Sequence, residues 1–224
     1  MKLITFQSIE AFNEFQKTGI LHSMPQQHID LKKYGIPYDF IISKMKQKIP
    51  RQTGEEYPVW AWAKYGGLAA PKKQINKTGK IQSPKVKITF FKPDNQVLVS
   101  DYMAYSFILN GQIIPHSKEE YKFFLNILNT HGISLDHLKN FIRQKNPENT
   151  EKIEAIFPKI KASWNRVFQL KSDIHQACVW CIRHNEVEKV EFCNDSKFLY
   201  GAVNFPRADG KRPDWKKKYL KFIR

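Results

Sequence analysis

Between Pro58 and Pro93 the chain has no aspartate and no glutamate, yet it carries eight lysines. Cysteine is scarce as well. Cys178, Cys181 and Cys193 are an odd count, which excludes a fully paired disulfide framework. No apolar run approaches the ~20 residues needed to cross a bilayer. The opening Met1-Lys2-Leu3-Ile4-Thr5-Phe6 is too short and too soon polar for a signal peptide. These absences lead us to expect a cytoplasmic protein with reduced thiols and no membrane partner. P-loop, Rossmann glycine fingerprint, paired-histidine zinc helix and nucleophile elbow are all missing, so no catalytic signature names a reaction.

What is present is positive charge, unevenly placed. The chain has 224 residues and a formal net charge of +16. Residues 58–93 contribute +8 and residues 207–224 contribute +6, whereas residues 94–206 balance. A neutral body with two concentrated basic segments suits a protein that meets a polyanion, so nucleic acid is the expected partner. The expected phosphate contacts are Lys64, Lys72, Lys73, Lys77 and Lys80 in the first segment, and Lys216, Lys217 and Lys218 in the second. Apolar residues at 42% and aromatics at 13% are enough for a sizeable core. We read residues 1–206 as one α+β domain and residues 207–224 as a basic C-terminal appendage.

Local patterns give the element order. Lys2 to Phe6 reads as a strand. Ser8 caps a helix that turns Ile9, Phe12 and Phe15 inward and ends at Gly19. Gly35 breaks the chain, and Pro37 opens a helix bearing Tyr38, Ile41, Ile42, Met45 and Ile49. Tyr57 to Trp62 alternates as a strand, Lys64 to Pro84 reads as a long loop, and Lys85 to Phe91 alternates again. The middle is helical: Ser100 caps residues 101–109, Ser117 opens a capping box, Ser134 starts a short helix, and Pro158 opens one carrying Ile160, Trp164, Val167 and Phe168. Strands follow at Gln176 to Ile182 and Lys189 to Phe192, then a last basic helix from Pro213. Strands flanking a helical middle imply a mixed or antiparallel sheet rather than repeated βαβ units.

Three clusters allow chemistry, each beside a plainer reading. His175, Cys178, Cys181, His184 and Cys193 include zinc-ligand types, but a strand turns positions 178 and 181 to opposite faces and no Gly or Pro tightens the gap. Ordinary buried cysteines are the favoured reading. Trp60 and Trp62 adjoin the lysines and suit base stacking, yet period-two spacing puts both on one face and favours burial. Ser100 and Asp101 at a strand-to-helix junction suit either anion binding or simple capping.

The segments Ile4-Thr5-Phe6-Gln7-Ser8, Tyr57-Pro58-Val59-Trp60-Ala61-Trp62, Val97-Leu98-Val99-Ser100-Asp101-Tyr102, Ser163-Trp164-Asn165-Arg166-Val167-Phe168 and Ile174-His175-Gln176-Ala177 resemble an uncharacterised bacterial family. It is the domain of unknown function numbered three-eight-four-one, and the resemblance runs to about Phe192. It brings no activity. Thr5-Phe6-Gln7 through Gly19-Ile20-Leu21, with Gln176-Ala177-Cys178, is also similar to ADP-ribosyltransferases that modify nucleic acid. That second resemblance implies an ADP-ribosyltransferase-like fold, NAD as donor, and Gln7 and Gln176 as catalytic-site residues, with Trp60, Trp62, Ser100 and Asp101 binding ligand. Cys178 stands where that family has its catalytic glutamate, and Gln7 where a His or Arg is common. Two functions follow: a transferase-like domain acting on or near nucleic acid, or a non-catalytic nucleic-acid-binding module. A protein-interaction adaptor with a basic tail is a third.

Overall fold

The computed structural model describes residues 1–23, 31–50, 57–65, 85–143 and 149–193. The fold is α+β, as expected, with six α-helices and eight strands among those residues. They form two compact units. One takes its described residues from Met1–Pro25, Met45–Val99 and His175–Asp214, and the other from Gln26–Lys44 and Ser100–Ile174. The chain therefore passes between the units within helix α2 (Leu31–Lys48), within strand β5 (Leu98–Asp101) and at the start of strand β6 (Ile174–Val179).

The first unit is built on strands β1 (Lys2–Ser8), β3 (Val59–Tyr65) and β4 (Lys85–Phe91), with β8 (Val187–Cys193) beyond β4. The six-stranded sheet has the order β5-β6-β3-β1-β4-β8. β1 pairs antiparallel with β3, Ile4 opposite Trp62, and with β4, Leu3 opposite Phe90 and Gln7 opposite Val86. Period-two alternation turns Leu3, Val59, Ala61, Val86, Ile88 and Phe90 to one face. There they form a core with Phe12 and Phe15 of helix α1 (Ile9–Thr18). α1 forms as its sequence dictates. Ser8 Oγ accepts from the Ala11 N–H, and Gly19 adopts φ 73, a left-handed cap that costs a glycine little. A two-stranded sheet pairs β2 (Ile20–His22) with β7 (Cys181–Arg183).

The second unit is helical. α3 (Tyr102–Ile108), α4 (Lys118–Thr130), α5 (Leu135–Ile142) and α6 (Thr150–Ser163) follow β5. Its core includes the fully buried Trp164, whose ring lies edge-on to Phe40 and Phe157.

Five element boundaries differ from the sequence reading. α2 starts at Leu31 and runs through Gly35 and Pro37, and α6 starts eight residues before Pro158. Each proline forgoes one bond to the carbonyl four residues earlier. Burial of Phe40, Ile41 and Met45 on α2, and of Ile153 and Ile160 on α6, outweighs that loss. The cap of α3 is Asp101, not Ser100, which still belongs to β5. The strand expected at residues 176–182 divides at Trp180, and its two halves join different sheets. The expected loop begins later than Lys64, because β3 extends to Tyr65. Residues 66–84 and the expected C-terminal helix lie outside the described residues.

Candidate functional site

Gln7 lies near the end of β1, half-buried, and shares a sheet face with Leu3 and Thr5. Its Nε2 donates to Thr5 Oγ1 at 2.7 Å, and that hydroxyl donates to the Trp60 carbonyl at 2.7 Å. The structure thus links Gln7 to β3 through Thr5, which is almost wholly buried.

Gln176 lies on β6 and is also buried. Its neighbours in sequence, Ala177 and Val179, point the other way where they share a core with Leu3, Val59 and Ala61. Alternation therefore sets Gln7 and Gln176 on opposite faces of one sheet. The two amides, expected to share a cleft, are not brought together. Trp60 and Trp62 stand on the Gln176 face, both half-buried rather than fully enclosed.

Cys178 shares that face with Gln176 and is buried. Burial pushes its thiol well above the usual cysteine range, so at neutral pH it is an uncharged, compact apolar group. A neutral thiol supplies no negative charge where a glutamate would. Cys181 belongs to the other sheet, beyond Trp180, whose indole N–H donates to the Ile49 carbonyl at 3.3 Å.

Ser100 and Asp101 belong to the second unit, and both are buried. Asp101 Oδ1 accepts from the Ala104 N–H at 2.9 Å and from Ser172 Oγ at 2.8 Å. Its Oδ2 accepts from the Ser172 N–H at 2.6 Å. One carboxyl group thus caps α3 and fastens the turn before β6. The capping reading of this junction holds for Asp101. Ser172 had no local sequence signal, because it comes from a distant part of the chain.

A second clamp uses the Ser163–Phe168 segment. Ser163 Oγ accepts from the Ile114 N–H at 3.0 Å, the Trp164 indole donates to the Gln112 carbonyl at 2.9 Å, and Arg166 donates to the Ile114 carbonyl at 2.7 Å. Arg166 also pairs with Glu120 at 2.7 Å. Burial raises the Glu120 carboxyl, but the His116 N–H and the Arg166 guanidinium outweigh it and hold the group below its usual value.

The lysines divide into two groups. Lys87 pairs with Glu191 at 2.8 Å, and the buried Lys92 pairs with Glu186 at 2.6 Å. These two members of the basic segment hold β4 against β8 and the turn before it. Lys72, Lys73, Lys77, Lys80, Lys216, Lys217 and Lys218 lie outside the described residues, as does the Lys64 side chain. No helix among the described residues is long and apolar enough to cross a membrane.

The profile of a family described as Domain of unknown function (DUF3841) matches residues 2–188. No curated protein and no solved structure matches the chain. The matched span takes in strands β1 to β7 and only the first two residues of β8, together with the Asp101 junction and the Ser163–Phe168 clamp. The chain belongs to the DUF3841 family.

Proposed function

We propose that this protein is a nucleic-acid-associated binding module whose affinity comes from its two basic segments. The observation that carries the reading is the partition of charge: +8 over residues 58–93, with no acid, and +6 over residues 207–224, beside a balanced stretch at 94–206. Lysines at that density neutralise phosphates and release their counterions, a drive that needs no base-specific contact. Lys87 and Lys92 have intramolecular carboxylate partners, so the phosphate contacts fall to the remaining lysines of each segment.

The transferase reading, with NAD as donor, needs a charged group to stabilise a developing oxocarbenium ion. The position of that group is held by Cys178, whose thiol stays neutral, and Gln7 and Gln176 occupy opposite sheet faces. The binding-module reading asks nothing of these residues.

Purification at low salt separates the readings. Co-purifying nucleic acid, seen as excess absorbance at the base maximum and lost on a high-salt wash, is the result expected. Retained NAD without nucleic acid overturns the binding-module reading in favour of the transferase one.

A further inference from the structure

β8 ends the strand order of the six-stranded sheet, and among the described residues no strand pairs with its outer side. Val187 and Val190 of β8 pack against the core yet remain half-buried, so the core is incompletely covered along this edge. Lys189 and Glu191 stand side by side on the opposite face, 3.0 Å apart and 63% and 32% exposed. Charges on an edge strand ordinarily discourage pairing with another strand. Here their order discriminates between partners rather than excluding all of them.

We propose that the outer edge of β8 pairs antiparallel with β8 of a second copy of this chain, about a two-fold axis through Val190. The pairing of β4 with β8 shifts register between Thr89 and Phe90, which leaves Val187 and Val190 on one face although they are three residues apart, so regular alternation in β8 is confined to residues 189–193. Within that stretch, keeping the core faces of both sheets on one side requires the axis to pass through a residue. Lys189, Val190 and Glu191 all lie in that stretch and can each carry the axis. An axis at Lys189 sets lysine opposite lysine, and one at Glu191 sets glutamate opposite glutamate. Like charges directly opposite are destabilising. The axis at Val190 sets Lys189 opposite Glu191 of the second copy, twice by symmetry, and valine opposite valine. Only this register is charge-complementary. A strand of another protein lacking the same spacing meets an unmatched charge, so the edge selects its own copy. The joined sheet would have twelve strands, with Val190 covered on both copies.

The test is sedimentation equilibrium over a wide concentration range. A monomer–dimer equilibrium is expected for the unaltered chain. Lys189→Glu should raise the dissociation constant about tenfold or more, since it replaces two attractions with two repulsions. Lys189 is mostly exposed, so at concentrations where the unaltered chain is also monomeric the melting temperature of this variant should fall only slightly, through loss of the intrachain pair with Glu191. Glu191→Lys, which also faces Lys87, should dissociate alone but form a mixed dimer with the Lys189→Glu chain. A monomer at every concentration overturns the proposal and points to a later segment of the same chain covering the edge. A dimer that Lys189→Glu leaves intact overturns it equally.

Discussion

Asp101 and Ser172 are 71 positions apart, yet one carboxyl group accepts both the hydroxyl and the backbone N–H of the serine. The same group caps α3 through Ala104. Removing it leaves buried donors without an acceptor, which costs more than the bonds themselves contribute. Asp101→Ala should therefore lower stability by about 2–4 kcal/mol. Asp101→Asn keeps one acceptor oxygen and should cost less. A urea midpoint unchanged in Asp101→Ala would show that the junction is held by something else.

Trp164 is fully buried and donates to the Gln112 carbonyl. Trp164→Ala removes a large apolar volume and leaves that carbonyl unpaired. The expected loss is about 3–5 kcal/mol. Trp164→Phe should cost less, because it keeps most of the ring volume and loses only the hydrogen bond. Equal midpoints for all three proteins would contradict the packing of the second unit.

Glu120 gives a pH dependence whose sign is fixed. Its carboxyl is held below the ordinary glutamate value, so the folded state binds fewer protons than the unfolded chain. The stabilisation is fully present above the unfolded value of about 4.3 and is lost as pH falls through the folded value. Arg166→Lys removes the guanidinium fork while keeping a charge, and should shrink this acid-sensitive part. Thermal melts between neutral pH and about pH 3 measure it. A variant whose melting temperature falls with acid in parallel with the unaltered chain would exclude the Arg166–Glu120 pair as the cause.

Much of the fold is written in short-range patterns. Ser8 and Gly19 bound α1 because a hydroxyl cap and a left-handed glycine act within one turn. Val86, Ile88 and Phe90 alternate because the sheet buries one face. Pro37 and Pro158 mislead, since burial of residues a turn or more away overrides a local breaker. The candidate site was less legible. The bond from Gln7 to Thr5 is local, but its continuation to Trp60 depends on strand order. Ser172, Glu186 and Glu191 gave no signal because their partners are brought close only by the folded chain. The opposite placement of Gln7 and Gln176 follows from strand parity once Ala177 and Val179 are known to face α1's side of the sheet.

The most direct test of the polyanion account is the affinity for single-stranded and duplex oligonucleotides, measured by anisotropy as salt is raised. Several phosphate contacts imply that the logarithm of the association constant falls linearly with the logarithm of salt concentration. Changing Lys72, Lys73, Lys77 and Lys80 together to glutamine should lower affinity at low salt and flatten that slope. The melting temperature and the Asp101–Ser172 junction should be unaffected. No binding to either nucleic acid at low salt, or a slope indifferent to those four lysines and to loss of residues 207–224, would contradict the account.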